Sequence, residues 1–247
     1  MKTTNKILLA TLIAILAVST ILMVIVRLNV NFRPLTEGSM NVVSENRQIS
    51  SFNAIEASGP MKVELLQGDD FGLTIEADDN LMELIVTEVN DQVLTIRMKE
   101  RVINYNALNV KVAFVTLEAL KLSAGASVYS LNTIVGHTLK HIISSGAISE
   151  LELNFEELIV EASSGARAKL AGKVRELFID SSSGSGVMAS DLQAENASIK
   201  TSSGSVNHVF VNNEISVDAS SGAVVNYGGR PTIRNLKTSS GGAVGAI

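Results

Sequence analysis

The chain has no cysteine and no tryptophan, and only three prolines and 4% aromatic residues in 247 positions. Without cysteine there is no disulfide, no thiolate metal site and no lipid-modified N-terminal cysteine. Few aromatics argue against the aromatic-lined groove of a polysaccharide-processing enzyme. A basic surface is missing too. Residues 28–115 carry seven basic and thirteen acidic groups, residues 116–247 carry ten and twelve, and the whole chain is −5. No nucleic-acid partner is expected from such a balance. No stretch after residue 40 sustains a 3.6-residue apolar period, so no long helix is expected there.

What is present is a repeat. Ser-Ser-Gly recurs at 144–146, 163–165, 182–184, 202–204, 220–222 and 239–241, preceded by Ser123-Ala124-Gly125. The glycines, Gly125, Gly146, Gly165, Gly184, Gly204, Gly222 and Gly241, step by 21, 19, 19, 20, 18 and 19 residues. Five residues before the glycine stand Leu120, Val160, Ile179, Ile199, Val217 and Leu236. After it comes a small residue, then apolar residues at intervals of two, as in Val128, Leu151, Leu170, Val187, Val209 and Val225. Period two is strand patterning. A unit of this length holds two or three short strands and cannot bury its own apolar face, so copies must stack.

The fold expected is all-β, a right-handed parallel β-helix (solenoid), with the hand taken from the general preference of parallel crossovers. The seven glycines form its structural corner motif, with the serines stacked beside them and their hydroxyls bonding to one another or to bend carbonyls. A catalytic serine is disfavoured, because no His-Asp pair attends any of them.

Residues 1–27 differ from the rest. Lys2 and Lys6 precede an uncharged run from Ile7 to Val26, closed by Arg27. Twenty such residues can cross a bilayer, giving an N-terminal transmembrane helix and a membrane partner through residues 7–26. The flanking charge puts the N-terminus inside and the domain outside the cytoplasm, in the periplasm or at the cell surface. A signal peptide cleaved near Ala17-Val18-Ser19 is the rival and would make the protein secreted. Residues 28–49 read as a linker and 50–247 as the β-helix domain, with regular repeats from about 117. Before that, strands are expected at 52–57, 61–66, 73–77, 84–89, 93–98 and 110–115, with a hairpin capping the stack.

Within that stretch, Phe52-Asn53-Ala54-Ile55, followed by Gly59, Val63, Leu65 and Gln67-Gly68, resembles the opening of the putative auto-transporter adhesin, head GIN domain family. The strand Val93-Leu94-Thr95-Ile96 and the segment 117–123 are similar to its middle. The Ser-Gly coils and Tyr227-Gly228-Gly229-Arg230-Pro231 are similar to its close. The resemblance spans about 52–244. It implies a right-handed parallel β-helix in a bacterial envelope protein and carries no activity with it. Members often begin with a secretion signal, and the longer apolar run here departs from that toward anchoring.

Chemistry candidates are few. His137, His141 and His208 lack a third ligand at regular spacing and read as surface or bend residues. Asp69-Asp70 and Asp78-Asp79 could offer oxygens to calcium, but lack an alternating ligand series and read as solvated turns. Glu150, Glu152, Glu156, Glu157 and Glu161 are dense enough for a lyase or hydrolase to be weighed. Glu161 and Asp180 should stack on adjacent coils, in a slot shared with Lys121, Lys200, Asp218 and Lys237, which reads as a charge ladder. A Ser/Thr face at Ser181, Thr201 and Thr238 could order water.

No enzyme activity, cofactor, metal or catalytic residue is expected. The function expected is an adhesive, structural or protein-interaction role toward a cell-surface, glycan or protein ligand. A carbohydrate-binding or polysaccharide-cleaving β-helix, and an envelope assembly or stress module, remain alternatives. Self-association through the C-terminal coil is a further expectation, since the last repeat lacks a charged or helical cap.

Overall fold

A computed structural model describes residues 15–20 and 35–247. Residues 15–20 are helical; the rest of the apolar segment expected to cross the membrane, 7–14 and 21–26, lies outside the described residues. Among the described residues no helix is long and apolar enough to cross a membrane. The chain divides into two compact units, 1–35 and 36–247.

Residues 36–247 form a β-solenoid of about seven turns. The N-terminal strands are β1 (Leu35–Glu37), β2 (Val42–Arg47), β3 (Ala54–Ser58), β4 (Lys62–Gln67), β5 (Gly72–Asp78), β6 (Ile85–Asn90), β7 (Val93–Met98), β8 (Arg101–Ile103) and β9 (Leu108–Phe114). β3 to β7 and β9 follow the expected strands closely, whereas β1, β2 and β8 fall where no strand is expected. The stacking order does not follow the chain. β7 and β9 lie on one side of β3 and β4, while β10 (Ala119–Ser123) and β11 (Ser127–Ser130) lie on the other. The chain thus lays down one coil, steps back to add a second beneath it, then passes over both and climbs.

The step back is made by reversed strands. β5 pairs antiparallel with β9, and β6 antiparallel with β7. A 3-10 turn, Asp79–Leu84, joins them. β2 covers the outer edge of β5. Residues 42–47 were expected to be linker. They form an edge strand that pairs with β5 from Val42↔Asp78 to Arg47↔Leu73, and Arg47 at its end donates to the Ile85 and Met82 carbonyls.

Beyond residue 130 the climb is regular. β12 (Ile134–Ile143), β13 (Ile148–Ala162), β14 (Arg167–Ser181), β15 (Gly186–Thr201) and β16 (Val206–Ala219) pair in parallel, each with the next. Two or three short strands per repeat were expected. Each coil instead carries one strand of 14–16 residues from β13 to β16. The other bends leave each strand continuous and shift the ladder register only locally, as between Ala189 and Gln193 and between Ala194 and Asn196, whereas the Ser-Ser-Gly corner ends the strand. The last coil holds β17 (Val224–Gly229), β18 (Thr232–Thr238) and β19 (Ala243–Ala246).

The core is a set of inward columns. One runs Ile55, Leu120, His141, Val160, Ile179, Ile199, Val217 and Leu236. All but the last are buried. Leu236 is 40% exposed, because among the described residues β18 is paired only on its β16 side. The column three before each glycine is also inward: Ser181 and Thr201 are buried. A water-ordering Ser/Thr face is therefore excluded at these two positions. The hydroxyls bond inside the coil instead, Ser181 Oγ to Thr201 Oγ1 at 2.9 Å, with Asn207 Nδ2 donating to both. Among the described residues the Asn207 side-chain oxygen, Oδ1, is buried without a partner.

Candidate functional site

At each corner the first serine carbonyl accepts from the amide three residues on, as in Ala147 N to Ser144 O at 3.1 Å. Both central residues have positive φ: 53° at Ser145 and 70° at Gly146, with the same pattern at every copy. This is a type I′ turn, which demands two left-handed residues in succession. Glycine is needed at the second position for its φ alone. A Cβ on Gly125, Gly146, Gly165, Gly184, Gly204 or Gly222 would meet nothing within 4 Å.

Successive turns are joined by main chain. From Gly125 to Gly222 each of these turn glycines donates its amide to the second residue of the next turn, as in Gly146 N to Ser164 O at 3.1 Å. Among the described residues the hydroxyl bonds beside the corners come from Ser185 and Ser205, which follow two of the glycines, and not from the Ser-Ser pairs. The expected hydroxyl ladder is thus a backbone ladder. The second serines stand exposed along one ridge.

The outward columns carry the charge. Glu161, Asp180, Lys200, Asp218 and Lys237 stack in register, as the spacing requires. Lys140 reaches Glu161 at 2.8 Å and Lys121 reaches Glu56 at 2.7 Å. Such exposed pairs contribute at most about 1 kcal/mol each. The glutamates 150–161 are not gathered into one site. Glu150 faces Lys169 at 3.7 Å, Glu152 accepts from Thr133, and Glu156 binds Arg175 at 2.7 Å.

Two groups are placed differently from their sequence reading. His141 is fully buried, with Nδ1 3.2 Å from the Leu120 carbonyl and Nε2 2.9 Å from Ser149 Oγ. A carbonyl only accepts, so Nδ1 carries the proton and Nε2 accepts from the serine. Burial pulls its pKa down to about 4. This is a core residue rather than a surface one; His137 is exposed and His208 half-buried.

Asp78 is buried too. Its carboxylate accepts from the amides of Met40, Asn106 and Ala107 at 2.8–3.1 Å. It ties two loops to the end of β5, and solvation plays no part. Asp79 is exposed. It accepts from Ser39, from Asn41 Nδ2 and from the Asn80 amide. These bonds, the Ser39 one first, hold its carboxyl below the usual carboxylate range. Asp69 and Asp70 are solvated as expected.

Shallow concavities mark the surface among the described residues. One of about 480 Å³ lies along Thr116–Glu118 and Val135–Thr138. One of about 390 Å³ lies around Asn154, Lys173, Arg175 and Gln193. One of about 320 Å³ spans three coils at Glu176, Asn196 and Glu214. Among the described residues no group of three or more His, Asp or Glu could hold a metal ion. The arrangement offers outward columns in register, suited to repeated contacts.

Sequence reasoning missed two further glycines. Gly172 has φ 108°, and a Cβ there would sit 2.0 Å from the Leu153 carbonyl oxygen. Gly229, φ 90°, repeats this against Val211 at 2.1 Å. Neither belongs to a periodic motif, so spacing carried no signal for them.

Residues 51–231 match the family whose description is putative auto-transporter adhesin, head GIN domain. A comparison with curated protein sequences found no match. Among solved structures, a putative adhesin from Bacteroides fragilis aligns with a TM-score of 0.80 at 19% identity, over 86% of this chain and all of that one. A putative adhesin from Parabacteroides distasonis aligns at 0.68 and 19%, over 87% and 100%. A putative lipid binding protein from the same species aligns at 0.63 and 18%, over 87% and 100%. At these identities the likeness is one of fold.

Proposed function

The chain belongs to the putative auto-transporter adhesin, head GIN domain family, and from that premise we propose that it is an extracytoplasmic adhesion module. It is held to a membrane by residues 7–26, and its solenoid, wound with the right hand that parallel crossovers favour, presents ligand-binding faces. It performs no catalysis. The supporting observation is the register: outward positions such as those of Glu161, Asp180, Lys200 and Asp218 recur coil by coil along the sheet. Side chains presented at fixed spacing favour many weak bonds made together. Linked sites of this kind gain roughly 10²–10⁴-fold in avidity over one alone.

Full-length protein should remain with the membrane fraction. Vesicles bearing many copies should bind immobilised cell-envelope extract about 100-fold more tightly than the single protein. A soluble full-length chain would sink the anchor. Adhesion no better than that of bare vesicles, or shortening of a polysaccharide by the protein, would sink the adhesive role.

A second reading rests on the final coil. β18 pairs only with β16, and β19 only with β17, in the described residues. Ile233 and Leu236 are 50% and 40% exposed above the core. A second copy docking edge to edge would cover them. Arg230, Arg234 and Lys237 are the only charged side chains after Asp218, so two such ends repel. Self-association should therefore strengthen with added salt. Sedimentation at several concentrations tests this: a strict monomer at high concentration and high salt excludes it.

A further inference from the structure

The face formed by residues 157–161 and their partners on the next coils, just before the Ser-Ser-Gly corner, has a relief of its own. Three outward columns run along it. The first is Glu157, Glu176, Asn196 and Glu214; the third is Glu161, Asp180, Lys200 and Asp218. Between them the middle column begins with Ile159 and Phe178 and then drops to Ser198 and Ser216. Long polar side chains thus flank two short ones. The hollow is the concavity of about 320 Å³, lined by Glu176, Phe178, Asn196, Ser198, Glu214 and Arg234. That volume is at the lower end of ligand-binding sites, which run from about 300 Å³ upward. Phe178 stands at one end of the hollow, with 39% of its surface exposed in a protein poor in aromatics.

The polar groups are held in place. Asn196 Nδ2 donates to Glu176 Oε1 at 2.9 Å, and Arg175 Nη1 donates to the same oxygen at 3.0 Å. Asn213 Nδ2 donates to Asn196 Oδ1 at 2.9 Å. Arg234 lies 3.4 Å from Glu214 Oε2. These partners fix one oxygen of each carboxylate and leave the other open to a donor. An uncharged polyol brings such donors. An anionic ligand would bring acceptors to a hollow lined by two carboxylates and one guanidinium.

A peptide strand is a poor fit, because the main chain of this face is already committed to the coils on either side and offers no edge. An acyl chain is a poor fit as well, because Phe178 is the hollow's single exposed apolar side chain. A sugar ring matches both parts: its C–H face lies against an aromatic ring, and its hydroxyls reach carboxylate, amide and serine. The coil spacing of about 4.8 Å is close to the length of one pyranose unit. Successive sugars running along the axis would therefore meet Glu176, Asn196 and Glu214 in turn.

We infer that the hollow between Phe178 and Ser216 is a binding site for a neutral oligosaccharide lying along the solenoid axis, about one sugar per coil. The inference rests on the adhesive-face reading and names its ligand class. The test uses full-length protein in a detergent without a sugar headgroup. The probes are four neutral tetrasaccharides, built of glucose, mannose, galactose or N-acetylglucosamine, with tetragalacturonate as the anionic control. At least one neutral probe should bind in the millimolar range, and the control at least tenfold more weakly.

Phe178→Ser, which copies the neighbouring coil at Ser198, should weaken binding at least tenfold. Ser198→Phe, which fills the hollow with the residue found one coil away, should do the same. Both variants should keep the parent melting temperature. Binding by none of the four probes overturns the inference, and so does binding that both variants leave intact. If the probes fail while vesicles still adhere to envelope extract, the ligand class is wrong and the adhesive reading stands. If vesicle adhesion fails as well, both fall.

Discussion

Gly172→Ala should cost the protein about 4 kcal/mol or more, enough to leave much of a marginal domain unfolded. The added methyl would lie 2.0 Å from the Leu153 carbonyl oxygen. That oxygen is main chain in the adjacent strand, where Leu153 and Gly172 are register partners. Relief would require two central strands of the solenoid to separate. The φ of 108° adds strain of its own, since it lies beyond the left-handed region that alanine tolerates. Gly165→Ala is the matched control. Its φ is 73° and its Cβ would be in open space, so the penalty is conformational, about 1 kcal/mol. Denaturant unfolding of the two variants measures the difference. Equal losses would mean that the strand contact at Gly172 is looser than described.

Acid should remove about 3 kcal/mol of stability through His141 alone. Its folded pKa is about 4, against 6.5 for the free side chain, so the unfolded chain binds the proton more readily. The contribution is complete above pH 6.5 and is lost as the pH falls toward 4. The cause is burial: an imidazolium in this core would have no water, and the Nε2 proton would face a serine that now donates to it. Neighbouring coils show the apolar alternative. His141 shares its column with Leu120 and Val160, and Ser149 shares its own with Val128 and Ala168. The double variant His141→Leu/Ser149→Ala should fold as well as the parent at pH 7 and lose less stability between pH 6.5 and 4. If the parent and variant curves run parallel over that window, His141 does not titrate on unfolding.

His141 also shows how much of the core the sequence encodes. It stands five residues before Gly146, in the slot that every other regular coil fills with Leu, Ile or Val. The slot is inward, so the repeat itself predicts a buried histidine. The same arithmetic puts Ser181 and Thr201 inside. Period and parity therefore encode the coil, its inward columns and its outward charge ladders. They do not encode the first two coils. β3 to β9 are visible as alternating segments, but the coil formed by 93–114 lies beneath the one formed by 54–67. Nothing local distinguishes a chain that steps back from one that climbs. Gly172 and Gly229 are hidden for a related reason, since a close approach between strands depends on what the neighbouring coil does at that height.

The candidate sugar site was only half readable. Glu176, Asn196 and Glu214 can be aligned once the bend is known, yet the coils differ in length by one or two residues there. The serine floor at 198 and 216 gains meaning only beside Phe178, and that neighbourhood is a property of register rather than of sequence distance.

The main-chain bonds between turns have a genetic consequence. Each turn touches only the one before and the one after, and every regular copy closes in the same way. A tandem duplication of one repeat, some 19 codons, would add a coil without asking any distant residue to change. A deletion of one would close the gap just as cleanly. The length of the solenoid can therefore drift by whole coils in a lineage, moving whatever the tip carries nearer to or farther from its base while the faces along the way keep their pattern.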